Sequence, residues 1–332
     1  MIQRSPPFPA RRGSGRVLRW AGAVVLGLAG CGGSGEAEPD AAEAPASAPF
    51  SAEARSLPGT LAWALEGPWR PPEERARDAA LQPVAIAELF ALDSAPSVLE
   101  LHPGRGAWTA VIAPTGAGRC GGYPLAGPPA DAGGPASELR ARLADRFADE
   151  ALFGPITISA LGPETGPLAP ANAIAAAFTV DDVATWMALG YADKAFADVY
   201  DALAPGGRFG VIQPRAAAIG APDPTAASGY VQQAYVIRLA EEAGFELLEA
   251  SERLANPTDT RDHAFGVWTL APFRMTAPLG AAPDPTFDRA PYDAIGEPDR
   301  MTLVFRKPFA EEPTSDTIEA DTIESDAPEN GE

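Results

Sequence analysis

The stretch Ser97-Val-Leu-Glu-Leu-His-Pro-Gly-Arg-Gly-Ala-Trp108 constrains the fold of this chain more than any other. An apolar run interrupted by one carboxylate, Glu100, passes into a loop carrying Gly104 and Gly106. A buried strand running into a glycine loop has this pattern, since glycine admits close backbone approach and positive φ. Two readings stay open at this point. The loop cradles a ligand, or it is a glycine-rich turn without one.

Around it, strand and helix patterns alternate. Pro71-Pro72-Glu73-Glu74 opens a helix, and residues 79–92 continue with apolar positions at helical spacing. Strands are expected at 97–102, 156–161, 173–178, 208–213 and 245–249, and residues 301–306 alternate as an edge strand does. Helices are expected at 107–113, at 192–203 before Pro205-Gly206-Gly207, and at 230–243 before Gly244. That order predicts an α/β sheet covered by helices on both faces.

The ends of the chain carry different signals. Five arginines precede the apolar segment 20–30, which is shorter than the ~20 residues that span a bilayer and has the layout of an export signal. It closes on Leu28-Ala29-Gly30-Cys31, which resembles the lipobox of bacterial lipoproteins. The resemblance implies cleavage before Cys31 and lipid on its thiol. The expected organisation is a signal peptide at 1–30, a Gly/Ala/Pro/Glu tether at 31–50, one domain at 51–308 and an acidic disordered tail at 309–332. With two cysteines in all, a lipidated Cys31 leaves Cys120 without a disulfide partner. The protein is thus expected at the cell envelope, as an exported lipoprotein anchored in the membrane.

Charge narrows the partners. The formal net charge is −20, and no basic cluster interrupts the domain. Nucleic acid is therefore not an expected partner, and a small-molecule ligand or an envelope component is. Two histidines in the whole chain make a zinc site unexpected, and no metal ligand set is read.

The succession VLELHPGRG, LAPGGRFGVI, AEEAGFELLEASERLANPTDTRD and RMTLVFRKP resembles the class I methyltransferases that use S-adenosylmethionine. More narrowly it resembles a group of exported, methyltransferase-like bacterial proteins that share the segments at 61–80 and 255–262. The resemblance covers roughly residues 60 to 308. It implies a doubly wound, Rossmann-like methyltransferase fold: a seven-stranded, mostly parallel sheet with an antiparallel last strand.

It also implies site residues. The family carries an acid in the first strand followed by glycines at +2, +4 and +6, which let backbone approach the methionine part of the cofactor. Glu100, Gly104 and Gly106 match, whereas His102 stands at +2. The family's second-strand acid, which binds ribose hydroxyls, has no counterpart at Tyr123-Pro124, where that strand is expected to end. A dinucleotide reading is weaker, because its third glycine position is Thr109. Near the fourth strand, Asp181 is a candidate cofactor contact and Asp182 a candidate base; alternatively both cap the next helix. Trp186 lines the pocket or belongs to the core. In the late polar loop, Asp259 and Arg261 are candidate substrate contacts and His263 a candidate base, against a self-bonded Asx turn. The expected activity is methyl transfer from S-adenosylmethionine to an unnamed acceptor. The alternative is a catalytically degenerate methyltransferase fold serving as an envelope binding or assembly lipoprotein.

Overall fold

A computed structural model describes residues 57–116, 123–129 and 133–309. Cys31 with its lipobox, the tether, the acidic tail from residue 310 onward and Cys120 lie outside the described residues.

Four short helices lead in: α1 (Leu61–Leu65), α2 (Pro72–Arg75), α3 (Asp78–Leu81) and α4 (Pro83–Leu89). The continuous helix expected over 79–92 is divided. Pro83 offers no N–H to the preceding turn, and Gln82 before it takes a left-handed conformation at φ 45°. Next come β1 (Val98–Leu101), α5 (Thr109–Ile112), β2 (Tyr123–Gly127), α6 (Gly134–Arg146), α7 (Glu150–Phe153) and β3 (Ile156–Ala160). The second half holds β4 (Ile174–Val180), α8 (Val183–Ala188), α9 (Ala192–Ala202), β5 (Leu203–Pro214), α10 (Gln233–Glu242), β6 (Glu246–Ser251), β7 (Ala264–Val267), α11 (Ala290–Ile295) and β8 (Arg300–Arg306).

Seven strands form one sheet in the order β3-β2-β1-β4-β5-β8-β6. All are parallel except β8, which runs antiparallel to β5 and to β6. This is the doubly wound, mostly parallel sheet with an antiparallel last strand that the resemblance implies. Residues 301–306, expected at an edge, lie instead between β5 and β6, with Arg300 to Phe305 buried. The alternation misleads there because Thr302 is buried in spite of its hydroxyl. The edges are β3 and the largely exposed β6.

Side chains of alternate strand residues enter two cores. Leu99, Leu101, Val211, Leu303 and Phe305 pack under α8, α9 and α10, against Trp186, Phe196, Val199 and Leu239. On α9 the buried positions Ala192, Ala195, Phe196, Val199 and Ala202 follow helical spacing. Val98, Phe178, Ile212 and Val304 face the other way, against Phe90, Trp108, Val111 and Leu143. Covered on both faces, β1 has room for a polar side chain only where partners meet it. Glu100 is that side chain. Because the parallel strands end on one edge of the sheet, the residues after β1, β4, β5 and β6 gather there, together with the start of β8. No helix among the described residues is long and apolar enough to cross a membrane.

Candidate functional site

Glu100 faces the second core and is 2% exposed. Thr109 Oγ1 donates to its Oε2 at 2.6 Å, and the Tyr123 hydroxyl donates to the same oxygen at 3.0 Å. Burial pushes the carboxyl up to about 8, against the pull of those two donors. At neutral pH Glu100 is therefore a protonated group inside the sheet, not an exposed anion.

Tyr123 corrects an expectation. It opens β2 rather than closing it, with Leu125 in register with Glu100. Burial, with Glu100 beside it, pushes the phenol well above its ordinary range. The strand ends instead at Gly127, followed by Pro128 and Pro129, and offers no carboxylate there. Arg140 of α6 ties the ends of β2 and β3 together by donating to the carbonyls of Pro128, Ser159 and Ile158.

The two glycines of the loop do different work. A Cβ on Gly106 (φ 84°) would lie 2.4 Å from the Phe147 ring, so that glycine is needed for packing. A Cβ on Gly104 (φ 55°) would meet nothing within 4 Å. The ground over Gly104 is open.

His102 leaves β1 at φ 43°, the left-handed region that glycine enters freely and other residues rarely do. Its Nδ1 accepts the Trp186 indole N–H at 2.9 Å, and the backbone of Leu161 holds the ring as well. Burial pushes the imidazole down to about 4. Asp182 Oδ1 lies 3.9 Å from Nδ1, and burial holds that carboxyl well above its ordinary range. Asp182 occupies the N-cap position of α8 without capping it; its Oδ2 accepts from Thr179 Oγ1 at 2.8 Å. Asp181 pairs with the buried Arg300, whose Nε and Nη2 donate at 2.9 and 2.8 Å. Trp186 is fully buried, so it belongs to the core while its N–H reaches the site.

The late loop forms a second cluster on the same edge. Asp259 is 1% exposed and accepts from the Tyr230 hydroxyl, from the backbone N–H groups of Arg261 and Asp299, and bonds His263 Nε2 at 2.7 Å. Arg261 donates to the Arg215 carbonyl and to Asp299, which Arg215 also pairs. Asn256 and Thr258 make the expected Asx turn. Arg300 carries the network from Glu297 across to Asp181. The structure thus brings Glu100, His102, Asp182 and Trp186 together at the ends of β1 and β4. It gathers Asp259, Arg261 and His263 into a neighbouring cluster in which their polar atoms bond one another and Asp299.

Sequence reasoning passed over Thr109, Thr179, Arg215, Asp299 and Arg300. Only Arg300 left a signal, as a cation opening an apolar strand. Between the segment after β5 and α10 lies a cleft of about 190 Å³, lined by Met187, Ile219, Tyr230, Val231 and Tyr235 among others. Among the described residues no group of three metal-ligating side chains converges.

No protein-family model and no curated protein matches the chain. Solved structures similar to it are class I methyltransferases or share their fold. A geranyl diphosphate methyltransferase in complex with S-adenosylmethionine is 12% identical, with 74% of this chain and 94% of that one covered at a TM-score of 0.46. The cyclase SpnF is 18% identical over 70% and 82%, at 0.44. A methyltransferase from Aquifex aeolicus that depends on S-adenosylmethionine is 15% identical over 53% and 86%, at 0.42. The strand order itself, with β8 reversed between β5 and β6, carries the fold.

Proposed function

We propose that the chain is an S-adenosylmethionine-dependent methyltransferase held at the cell envelope by lipid on Cys31. The observation that carries the reading is Gly104. It stands in the loop leaving the central strand of a methyltransferase-type sheet, at positive φ, with open ground over its Cα. A ligand can lie against bare backbone there. The fit to the cofactor is good at this loop. At the end of β2, Gly127-Pro128-Pro129 supplies no acid for the ribose, so that half must be held by other groups.

In this reading the Gly104 loop takes the methionine part, and the bound cofactor supplies an electrophilic methyl group. The chain's own contribution is orientation and exclusion of water.

Thermal unfolding with S-adenosylhomocysteine tests it. A ligand at 100 times its Kd adds ~2.7 kcal/mol, which raises Tm by several degrees in a domain of this size. Gly104→Asn should abolish that shift and leave the unliganded Tm within about 3 °C, since asparagine tolerates left-handed backbone. An absent shift at millimolar ligand overturns the proposal.

A second reading, a catalytically idle scaffold acting as an envelope binding module, is favoured by two observations. The acid of β1 is enclosed by Thr109 and Tyr123, and β2 ends in glycine and prolines. It predicts no shift with either cofactor form. Anchoring has its own test in both readings: Cys31→Ser should move the protein from the membrane fraction to the soluble one, and unchanged partition refutes the lipid anchor.

A further inference from the structure

Two consecutive residues at the end of α6 grip the loop that leaves β1. The Phe147 ring packs on Gly106, where a Cβ would lie only 2.4 Å from it. Next to it, Arg146 Nη1 donates to the Arg105 carbonyl at 2.5 Å. The Gly106 N–H donates to the Pro103 carbonyl at 2.7 Å, which closes the turn Pro103-Gly104-Arg105-Gly106. The peptide joining Arg105 to Gly106 is therefore pinned on both sides, its N–H by Pro103 and its carbonyl by Arg146. Gly104, one residue before it, is exposed at φ 55° with open ground over its Cα.

The guanidinium is itself held. Glu74 of α2, 72 residues earlier, accepts from Nη1 and Nη2 at 2.7 and 2.9 Å. This two-pronged geometry fixes the direction of an arginine as well as its charge. One Nη1 hydrogen serves the Glu74 carboxylate and leaves the other for the Arg105 carbonyl. The pair is partly exposed, so screening limits what it adds to stability. Its hold on the loop backbone is the larger consequence.

We propose that Arg146 is a positioning residue of the ligand loop: oriented by Glu74, it fixes the Arg105–Gly106 peptide and so sets the ground over Gly104 on which the methionine part of a cofactor lies. It rests on the proposed cofactor reading for what lies there, whereas the pinning of the peptide is independent of it. Arg146 acts on the ligand only through the backbone. A displacement of about 1 Å in such a surface is enough to weaken binding and rate.

A charge swap separates positioning from bracing. Glu74→Arg combined with Arg146→Glu restores an ion pair between α2 and α6, but a carboxylate at 146 cannot donate to the Arg105 carbonyl. The double variant should keep its Tm within about 3 °C of the unaltered chain. Calorimetric titration with S-adenosylhomocysteine should read an affinity lower by about tenfold or more. Affinity that returns together with the ion pair overturns the proposal, because the pair is then a brace and nothing more.

Arg146→Met, which keeps an aliphatic stem and loses the donor, gives a second route. It too should bind the homocysteine compound about tenfold more weakly, and undiminished affinity in the folded variant overturns the proposal. Without ligand, amide exchange followed by NMR should show the buried Gly106 N–H exchanging about tenfold faster in this variant, with the β1 amides of Leu99 and Leu101 unchanged. Equal protection of Gly106 in both folded proteins overturns the pinning. If the unaltered chain takes up no S-adenosylhomocysteine, the cofactor reading falls, and faster Gly106 exchange still upholds Arg146 as the group that sets the loop.

Discussion

Asp259→Ala is expected to lower the unfolding free energy by about 4 kcal/mol, read from urea unfolding as a fall in midpoint at constant slope. The carboxylate is 1% exposed and serves four neighbours. The Tyr230 hydroxyl reaches its two oxygens at 3.1 and 3.0 Å, the N–H groups of Arg261 and Asp299 at 2.9 and 2.8 Å, and His263 Nε2 at 2.7 Å. Alanine leaves two backbone donors, a phenol and an imidazole without their acceptor. Each such loss is unfavourable by ~1–3 kcal/mol, and the losses are not additive within one network. Asp299 would lose its hold as well, and with it the seat of Arg215 and Arg261. The same substitution should leave the relative affinity for adenosyl ligands unchanged in the folded population. A loss under about 1 kcal/mol would mean that these groups find other partners and that the loop is free to serve a ligand.

That hub shows where the sequence was readable and where it was not. Residues 97–102 announced a strand because Val98, Leu99 and Leu101 are apolar on both faces, and β1 is covered on both faces. β2 gave no such signal, since Tyr-Pro-Leu-Ala-Gly contains the two residues that strands avoid. The structure accommodates Pro124 because the ladder between β1 and β2 begins only at Leu125. The reversed strand was placed by resemblance, but its interior position was hidden by Thr302, whose buried hydroxyl has no partner among the described residues.

At the site, Glu100, His102, Gly104 and Gly106 were legible as a loop, because they are consecutive. Their partners were not. Asp181 meets Arg300 119 residues away, and Asp259 meets the N–H of Asp299 40 residues away. No local spacing predicts which buried acid finds which donor. A dense polar loop such as 256–263 therefore reads equally as a binding surface or as a brace.

The alkaline side of the stability curve should belong to Glu100. In the folded chain its carboxyl titrates near 8, against 4.5 as the ordinary value. Between those pH values the native state holds one proton more than the unfolded chain at this position. The contribution is therefore complete below pH 4.5, falls as pH rises, and is exhausted above pH 8. Each unit of that interval is worth ~1.4 kcal/mol. From about pH 6.5 to 8.5 the chain should thus lose about 2 kcal/mol through this one group.

That window avoids His102. Its titration is pushed down to about 4, and it destabilises the fold only as pH falls below its ordinary 6.5. Asp182 lies in the same neighbourhood, and burial raises its titration too, so the comparison must be with a variant and not with pH alone. Glu100→Gln is that variant. Its amide oxygen still accepts from Thr109 and Tyr123, and its NH₂ stands where the proton was. The variant should match the parent near pH 5 and exceed it at pH 8.5 by several kcal/mol, with its loss over the window smaller by about 2 kcal/mol. Parallel curves for the two proteins would show that Glu100 is already ionised in the fold. The carboxylate of β1 would then be an anion available to a ligand's ammonium.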